Sequence, residues 1–174
     1  MNNLSRINDS TLWNDEVEKL VNQHINIEMK NFVVYQALAN LVDNEKFGLV
    51  GLSNKLRKEA DEELKHARDF IDYQNRRGGK VDEITYENED ISHLLTSENL
   101  VLDVYKLILD LEKRTNLSLS NLHNTHEPAL QDKIESYLHE QHDTQKEIND
   151  VIRLLEMGGP VFLAIHENEL RKLC

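Results

Sequence analysis

Apolar residues recur at intervals of three and four along four long stretches of the chain, a spacing typical of amphipathic helices. The first predicted helix covers residues 13–42 and carries an inward stripe of Val17, Leu20, His24, Ile27, Asn31, Val34, Leu38 and Leu41. The same kind of stripe predicts three further long helices, over residues 48–77, 97–125 and 128–157. A shorter apolar segment predicts a small fifth helix over residues 161–172.

The lengths of the connections predict how these helices are arranged. Only a few residues join the first helix to the second and the third to the fourth, so each of these pairs is expected to be antiparallel. The link between the second and third helices has about 17 residues, enough to cross the ~40 Å length of a helix. We therefore predict an all-α four-helix bundle with one long crossover, forming a single domain over residues 1–174.

Several polar side chains fall on the stripes that should face the core. They are Glu28 on the first helix, Glu63 and His66 on the second, Glu112 on the third and Gln141 on the fourth. Burial of unpaired carboxylates costs several kcal/mol each, so a bound cation is expected to compensate for them. Pairing of these carboxylates with buried Lys or Arg side chains is the alternative to a bound cation, but the inward stripes carry no Lys or Arg near these positions.

The types of these side chains indicate which metal they would bind. Glu63 and His66 form an E-x-x-H pair, whose two side chains share one helical face. Several carboxylates with one imidazole suit iron or manganese better than a structural zinc ion. Four other histidines are interpreted as capping or surface residues: His24, His93, His123 and His126.

Charge and composition indicate which partners and which cellular compartment are expected for this protein. The formal net charge is −12, which favours cations over nucleic acid as partners. Cys174 is the single cysteine, so neither a disulfide framework nor a thiolate metal site is expected. The first ten residues lack the apolar core of a secretory signal, and we expect no membrane span and a cytoplasmic location. A transit peptide removed earlier would leave no trace in this sequence.

Several motifs spread over almost the whole chain resemble those of ferritin, specifically the catalytic, heavy-chain type of subunit. The first helix contains N-x-E at residues 26–28 followed by Tyr35, and the second contains E-E-x-x-H-A at residues 62–67. Residues 73–81 look like the end of the second helix in eukaryotic ferritins. Similar matches occur at residues 111–113 and 137–141 of the later helices.

The resemblance implies a ferroxidase that oxidises iron(II) to iron(III) with dioxygen or peroxide at a di-iron centre within each subunit. By this resemblance, Glu28 and His66 bind the first iron, Glu63 bridges, and Glu112 with Glu62 serves the second. It also implies a homo-oligomeric cage of 24 subunits that stores a ferric oxide-hydroxide mineral.

Further roles follow from the same resemblance. Tyr35 and Gln141 would form hydrogen bonds with the ligands, bound water or oxygen species, and Asp132 with Glu135 would line the channels by which iron enters. The link at residues 124–128 is shorter than in animal ferritins, and one residue is missing between Glu135 and Gln141. That deletion rotates the two channel acids by about 100° relative to the site.

Two other regions depart from the heavy-chain pattern. Lys65 and Arg68 stand where other ferritin chains often carry acids that nucleate the mineral. The segment at residues 163–170 looks more like the last helix of bacterial ferritins.

Three alternatives remain open at this stage. The chain can be a storage subunit with a vestigial or slow metal site, or a small cage of the DNA-protecting type. The latter cages place their ligands between subunits and have a helix in the long link, whereas the E-x-x-H pair here lies within one bundle. A helical signalling bundle is disfavoured because it has no reason to bury these acids.

Overall fold

The computed structural model describes residues 13–173, which form four long α-helices and contain no β-strand. Helix α1 spans Asp15–Val42, α2 spans Val50–Arg76, α3 spans Leu100–His123 and α4 spans Pro128–Lys172. Helix α1 packs on α2 and α3, and α4 packs on the same two helices. The predicted all-α bundle with one long crossover is therefore confirmed. The expectations about a secretory signal and Cys174 concern residues outside the described range.

Local capping explains where several helices begin and end. The Asn14 side chain accepts hydrogen bonds from the backbone N–H groups of Glu16 and Val17, both at 3.0 Å, and so caps α1. Helix α2 ends just before Gly78, whose φ of 75° lies in the left-handed region. Helix α3 begins at Leu100, three residues later than predicted, because residues 97–99 form a turn in which the backbone N–H of Asn99 donates to Oγ of Ser97 at 2.9 Å.

The segment after Gly159 corresponds to the predicted fifth helix. At Gly159 the backbone leaves helical geometry (φ 48°, ψ −134°), and the chain then continues helically to Lys172. In this segment the Glu167 carboxylate accepts hydrogen bonds from the backbone N–H groups of Gly51 and Leu52, at 2.7 and 2.9 Å. These contacts cap the start of α2, whose own N-cap residue provides no side-chain hydrogen bond.

The buried apolar side chains form two clusters, one toward each end of the bundle. One includes Val34, Ala60, Ile108 and Ile148, and the other includes Ile25, Phe70, Leu119 and Ile134. Six of the buried polar residues lie in sequence between these two sets on their helices; they are Glu28, Asn31, Glu63, Glu112, Thr115 and Gln141. The bundle thus holds a polar layer between two apolar ones.

Among the helices within residues 13–173, none combines the length and the hydropathy that a bilayer crossing requires.

Candidate metal centre

Three side chains from two helices converge in the polar layer. Glu28 of α1 and Glu63 and His66 of α2 each offer one ligand atom, and these atoms all lie within 4.8 Å of one another. Only 1% of Glu28 and 5% of Glu63 is exposed to solvent. Two buried carboxylates and an imidazole at this spacing can coordinate one divalent cation.

The surroundings of Glu28 leave one of its oxygens without a hydrogen bond. Oε1 lies 2.9 Å from Nε2 of His24, one helical turn earlier, whereas the buried Oε2 has no hydrogen-bond partner. Nδ1 of His24 lies 3.0 Å from Oγ of Ser118 on α3, which positions the imidazole. A buried carboxylate oxygen that lacks a donor is costly unless a cation binds it.

Asn31 holds the neighbouring carboxylate in place. Its Nδ2 donates to Oε2 of Glu63 at 3.3 Å and to Oγ1 of Thr115 on α3 at 2.9 Å. Because Asn31 and Thr115 are each only 1% exposed, water does not compete for these bonds. The amide thus orients Glu63 toward Glu28.

Glu112 on α3 is buried in the same layer but has different partners. The Tyr35 hydroxyl on α1 donates to its Oε1, and Nε2 of Gln141 on α4 donates to its Oε2 at 2.7 Å. Gln145 also donates to the backbone carbonyl of Glu112 at 3.3 Å. Both carboxylate oxygens of Glu112 are therefore hydrogen-bonded to neutral donors.

The buried acids share protons unequally. Burial and the adjacent Glu28 carboxylate raise the pKa of Glu63 well above its ordinary value. Burial alone would also raise the pKa of Glu28, but the adjacent Glu63 carboxyl and the nearby His24 outweigh that effect and hold this pKa at about 2. Glu28 is thus the ionised partner of the pair, and Glu63 holds the proton that a cation would displace.

Glu112 also has a raised pKa. Burial raises the pKa of Glu112 to about 7, although the hydrogen bonds from Tyr35 and Gln141 act in the opposite direction. The centre therefore contains two acids whose protonated forms are favoured when no cation is present.

The remaining predicted site residues lie farther out. Glu62 is 44% exposed, and its carboxylate is 3.9 Å from Nζ of Lys58. Asp132 and Glu135 are both exposed near the start of α4. The structure thus brings together Glu28, Glu63 and His66, whereas the roles expected for Glu62 and the two channel acids stay predictions.

One interpretation of the sequence was wrong, and one residue beside the site was missed. His24 was interpreted as a capping or surface residue, yet it is fully buried and lies beside Glu28. Its position on the inward stripe, one turn before Glu28, was the available signal. Glu140, exposed by 48%, lies with Oε1 3.6 Å from Nε2 of His66 and was not among the predicted site residues.

Comparison with known proteins identifies a family and several relatives. A family model described as a ferritin-like domain matches residues 18–158. Ferritin-1, chloroplastic, from Brassica napus is 36% identical over 152 residues, which cover 83% of this chain and 59% of that protein. Ferritin-2, chloroplastic, from Vigna unguiculata is 35% identical over 152 residues, covering 83% of this chain and 60% of that protein.

A third relative has a similar identity and coverage. Ferritin-3, chloroplastic, from Glycine max is 33% identical over 154 residues, which cover 84% of this chain and 59% of that protein. The chain spans about three fifths of the length of these relatives. All three names include the word chloroplastic, so these relatives do not support the cytoplasmic location expected from the sequence.

Proposed function

This chain belongs to the ferritin family, as its match to the ferritin-like domain shows, and we propose that it stores iron and oxidises iron(II) at the buried centre. The observation that supports iron(II) oxidation at this centre is the buried Oε2 of Glu28, which has no hydrogen-bond partner and lies beside Glu63 and His66. A substrate cation would supply the partner that this oxygen lacks. The relatives named as ferritins support iron as that cation.

In this proposal the protein supplies ligands and charge, and iron supplies the redox chemistry. Glu28 and His66 bind one iron(II), Glu63 gives up its proton and bridges, and Glu112 with Glu62 binds a second iron(II). Two iron(II) ions lose one electron each, and the two electrons with two protons reduce one dioxygen to hydrogen peroxide. The iron(III) products hydrolyse to a ferric oxide-hydroxide mineral and release protons.

The second iron position requires two side chains to move. Glu62 has to turn from its exposed position near Lys58 toward Glu63, and Glu112 has to exchange a neutral donor for the cation. Glu62 is free to turn because it is 44% exposed. Tyr35 and Gln141 then remain as donors that orient Glu112 or bound water.

The proposal includes assembly into a homo-oligomeric cage of 24 subunits around the stored mineral. The ferritin-like domain supports a cage in general terms. Size-exclusion chromatography with light scattering measures the mass directly, and a dodecamer would have half the expected value.

A double substitution tests the proposed oxidation. Glu63→Ala with His66→Ala removes two of the three convergent ligands, and we expect the initial rate of aerobic iron(II) oxidation to fall to the rate without protein. A matched control, Glu98→Ala with His93→Ala, changes an exposed Glu and an exposed His on the crossover and should leave the rate unchanged. An unchanged rate in the first variant would refute the assignment.

A storage subunit with a slow or vestigial centre is the second candidate function. It is favoured by the two neutral donors that already occupy Glu112 and by the outward position of Glu62. Stopped-flow absorbance after iron(II) addition distinguishes the two functions. A rapid phase that the Glu63→Ala/His66→Ala variant lacks supports oxidation at the centre, whereas mineral growth without it supports the slow subunit.

A further inference from the structure

A lysine side chain crosses between α2 and α4 on one side of the polar layer. Nζ of Lys55 lies 3.0 Å from Oε1 of Glu59 on its own helix and 3.1 Å from Oε1 of Glu147 on α4. Only 23% of Lys55 and 26% of Glu59 is exposed, whereas Glu147 is 64% exposed. The ammonium group therefore joins an inner carboxylate to an outer one.

This ammonium group borders a small cavity. The cavity has a volume of about 40 Å³, and its lining includes Lys55, Glu59, Glu147, Tyr35 and Tyr105. That volume is sufficient for a water molecule or a bare cation. Tyr35 forms part of the cavity wall and also donates to Glu112, so a single phenol side chain links the cavity to the buried carboxylates.

The lysine stays charged in this position. Burial alone would lower the pKa of the Lys55 ammonium, but Glu59 and Glu147 outweigh that effect and raise it. Glu59 and Glu147 carry two negative charges against the one positive charge of Lys55, so removal of the ammonium group would leave both carboxylates without a cation. A divalent cation would then take its place, since carboxylates are preferred ligands of such ions.

We propose that Lys55 is a tethered cation that keeps this side cavity closed to divalent cations and so restricts their access to the centre. The consequence for iron(II) rests on the proposed function, because it assumes that iron(II) is the ion that binds at Glu28 and Glu63. The displacement of other cations by the ammonium group does not depend on that assumption. Lys55 thus acts outside the ligand set, by occupying the position between Glu59 and Glu147 that a divalent cation would otherwise take.

Cobalt(II) binding to the metal-free protein tests this inference. Lys55→Met removes the charge but keeps an unbranched side chain, and Lys55→Arg keeps the charge. In anaerobic equilibrium dialysis with metal analysis, we expect Lys55→Met to bind one more cobalt(II) per subunit than the unchanged protein. Lys55→Arg should bind the same number as the unchanged protein.

A double variant identifies where the additional ion binds. Lys55→Met combined with Glu147→Gln removes one of the two carboxylates and should lose the extra cobalt(II). If folded Lys55→Met binds no more cobalt(II) than the unchanged protein, the inference is overturned. Circular dichroism verifies folding, and Lys55→Gln replaces Lys55→Met if the latter does not fold.

Cobalt(II) binding in a second background distinguishes the role of Lys55 from the proposed oxidation at Glu63 and His66. In the Glu63→Ala/His66→Ala background, adding Lys55→Met should still increase cobalt(II) binding by one ion per subunit. If the Glu63→Ala/His66→Ala variant oxidises iron(II) at an unchanged rate, the proposed function fails while this difference remains measurable. If the difference is absent in both backgrounds, the role of Lys55 fails instead.

Discussion

Gln141 of α4 donates a hydrogen bond to Oε2 of Glu112 on α3 over 2.7 Å, and both side chains are buried. Tyr35 of α1 donates to the other oxygen of the same carboxylate. Glu112 therefore ties three helices together without a metal ion. This contact allows the predicted second-iron ligand to be buried in the metal-free protein, and a cation that bound Oε2 would have to displace the Gln141 donor.

Replacement of Gln141 by Leu should destabilise the metal-free protein. The substitution leaves Oε2 of Glu112 buried without its donor, which costs about 1–3 kcal/mol in the free energy of unfolding. Denaturant unfolding at pH 8, where Glu112 is more often ionised, measures this cost. Gln23→Leu, at an exposed position on α1, serves as the matched control. Equal stabilities of the two variants would contradict the role assigned to Gln141.

The raised pKa of Glu112 predicts how stability depends on pH. The folded protein holds the Glu112 proton up to a pKa of about 7, whereas the ordinary pKa is 4.5. The resulting stabilisation is complete below pH 4.5 and is lost as the pH rises through about 7. Glu63, whose pKa is also raised, changes stability in the same direction.

Thermal unfolding of the metal-free protein measures this dependence. Gln at position 112 is neutral at every pH. The melting temperature of Glu112→Gln should therefore increase relative to that of the unchanged protein as the pH is raised from 5 to 8. A constant difference over this range would show that Glu112 does not hold a proton in the folded state. Glu28, with a pKa of about 2, affects stability only at lower pH.

Asn31 should matter for metal binding although it is not itself a predicted ligand. Asn31→Ala removes the donor that orients Glu63, and loss of such a supporting bond lowers metal affinity about 10- to 100-fold. Titration of the metal-free protein with cobalt(II) measures the affinity. Asn40→Ala, an exposed position on the same helix, should leave it unchanged. If both variants bind equally well, Asn31 does not position Glu63.

Gly51 should tolerate no side chain. In a helix, Gly→Ala normally stabilises by about 0.5–1 kcal/mol. Here a Cβ atom would lie 2.7 Å from the backbone oxygen of Glu167 and 2.8 Å from the backbone nitrogen of Arg171. We expect Gly51→Ala to destabilise by about 1–3 kcal/mol because the last helical segment must shift.

Thermal unfolding checks this prediction, with Arg68→Ala as a control at an exposed position of α2. A higher melting temperature for Gly51→Ala than for the unchanged protein would show that the close approach of Glu167 and Arg171 to α2 is not maintained.

Helix periodicity predicted the bundle because each long helix has one continuous inward face. The positions of Glu28, Glu63, Glu112 and Gln141 on those faces predicted their burial, which the structure confirms. The start of α3 was predicted less well, since Ser97 forms a local turn with Asn99 rather than capping the helix directly, and apolar periodicity does not distinguish the two.

The partners of the buried acids could not be predicted from spacing along one helix. Contacts such as Asn31 with Thr115, or His24 with Ser118, join residues more than 80 positions apart and depend on the relative rotation of α1 and α3. The same holds for Lys55, whose carboxylate partner on α4 is 92 positions away. Periodicity identifies which residues face inward but not which of them meet.

Anomalous diffraction from crystals soaked anaerobically in iron(II) tests the central claim most directly. We predict an iron peak within bonding distance of Glu28, Glu63 and His66, and its loss in the Glu63→Ala/His66→Ala variant. Iron peaks confined to other residues, with Oε2 of Glu28 still lacking a cation, would contradict the account.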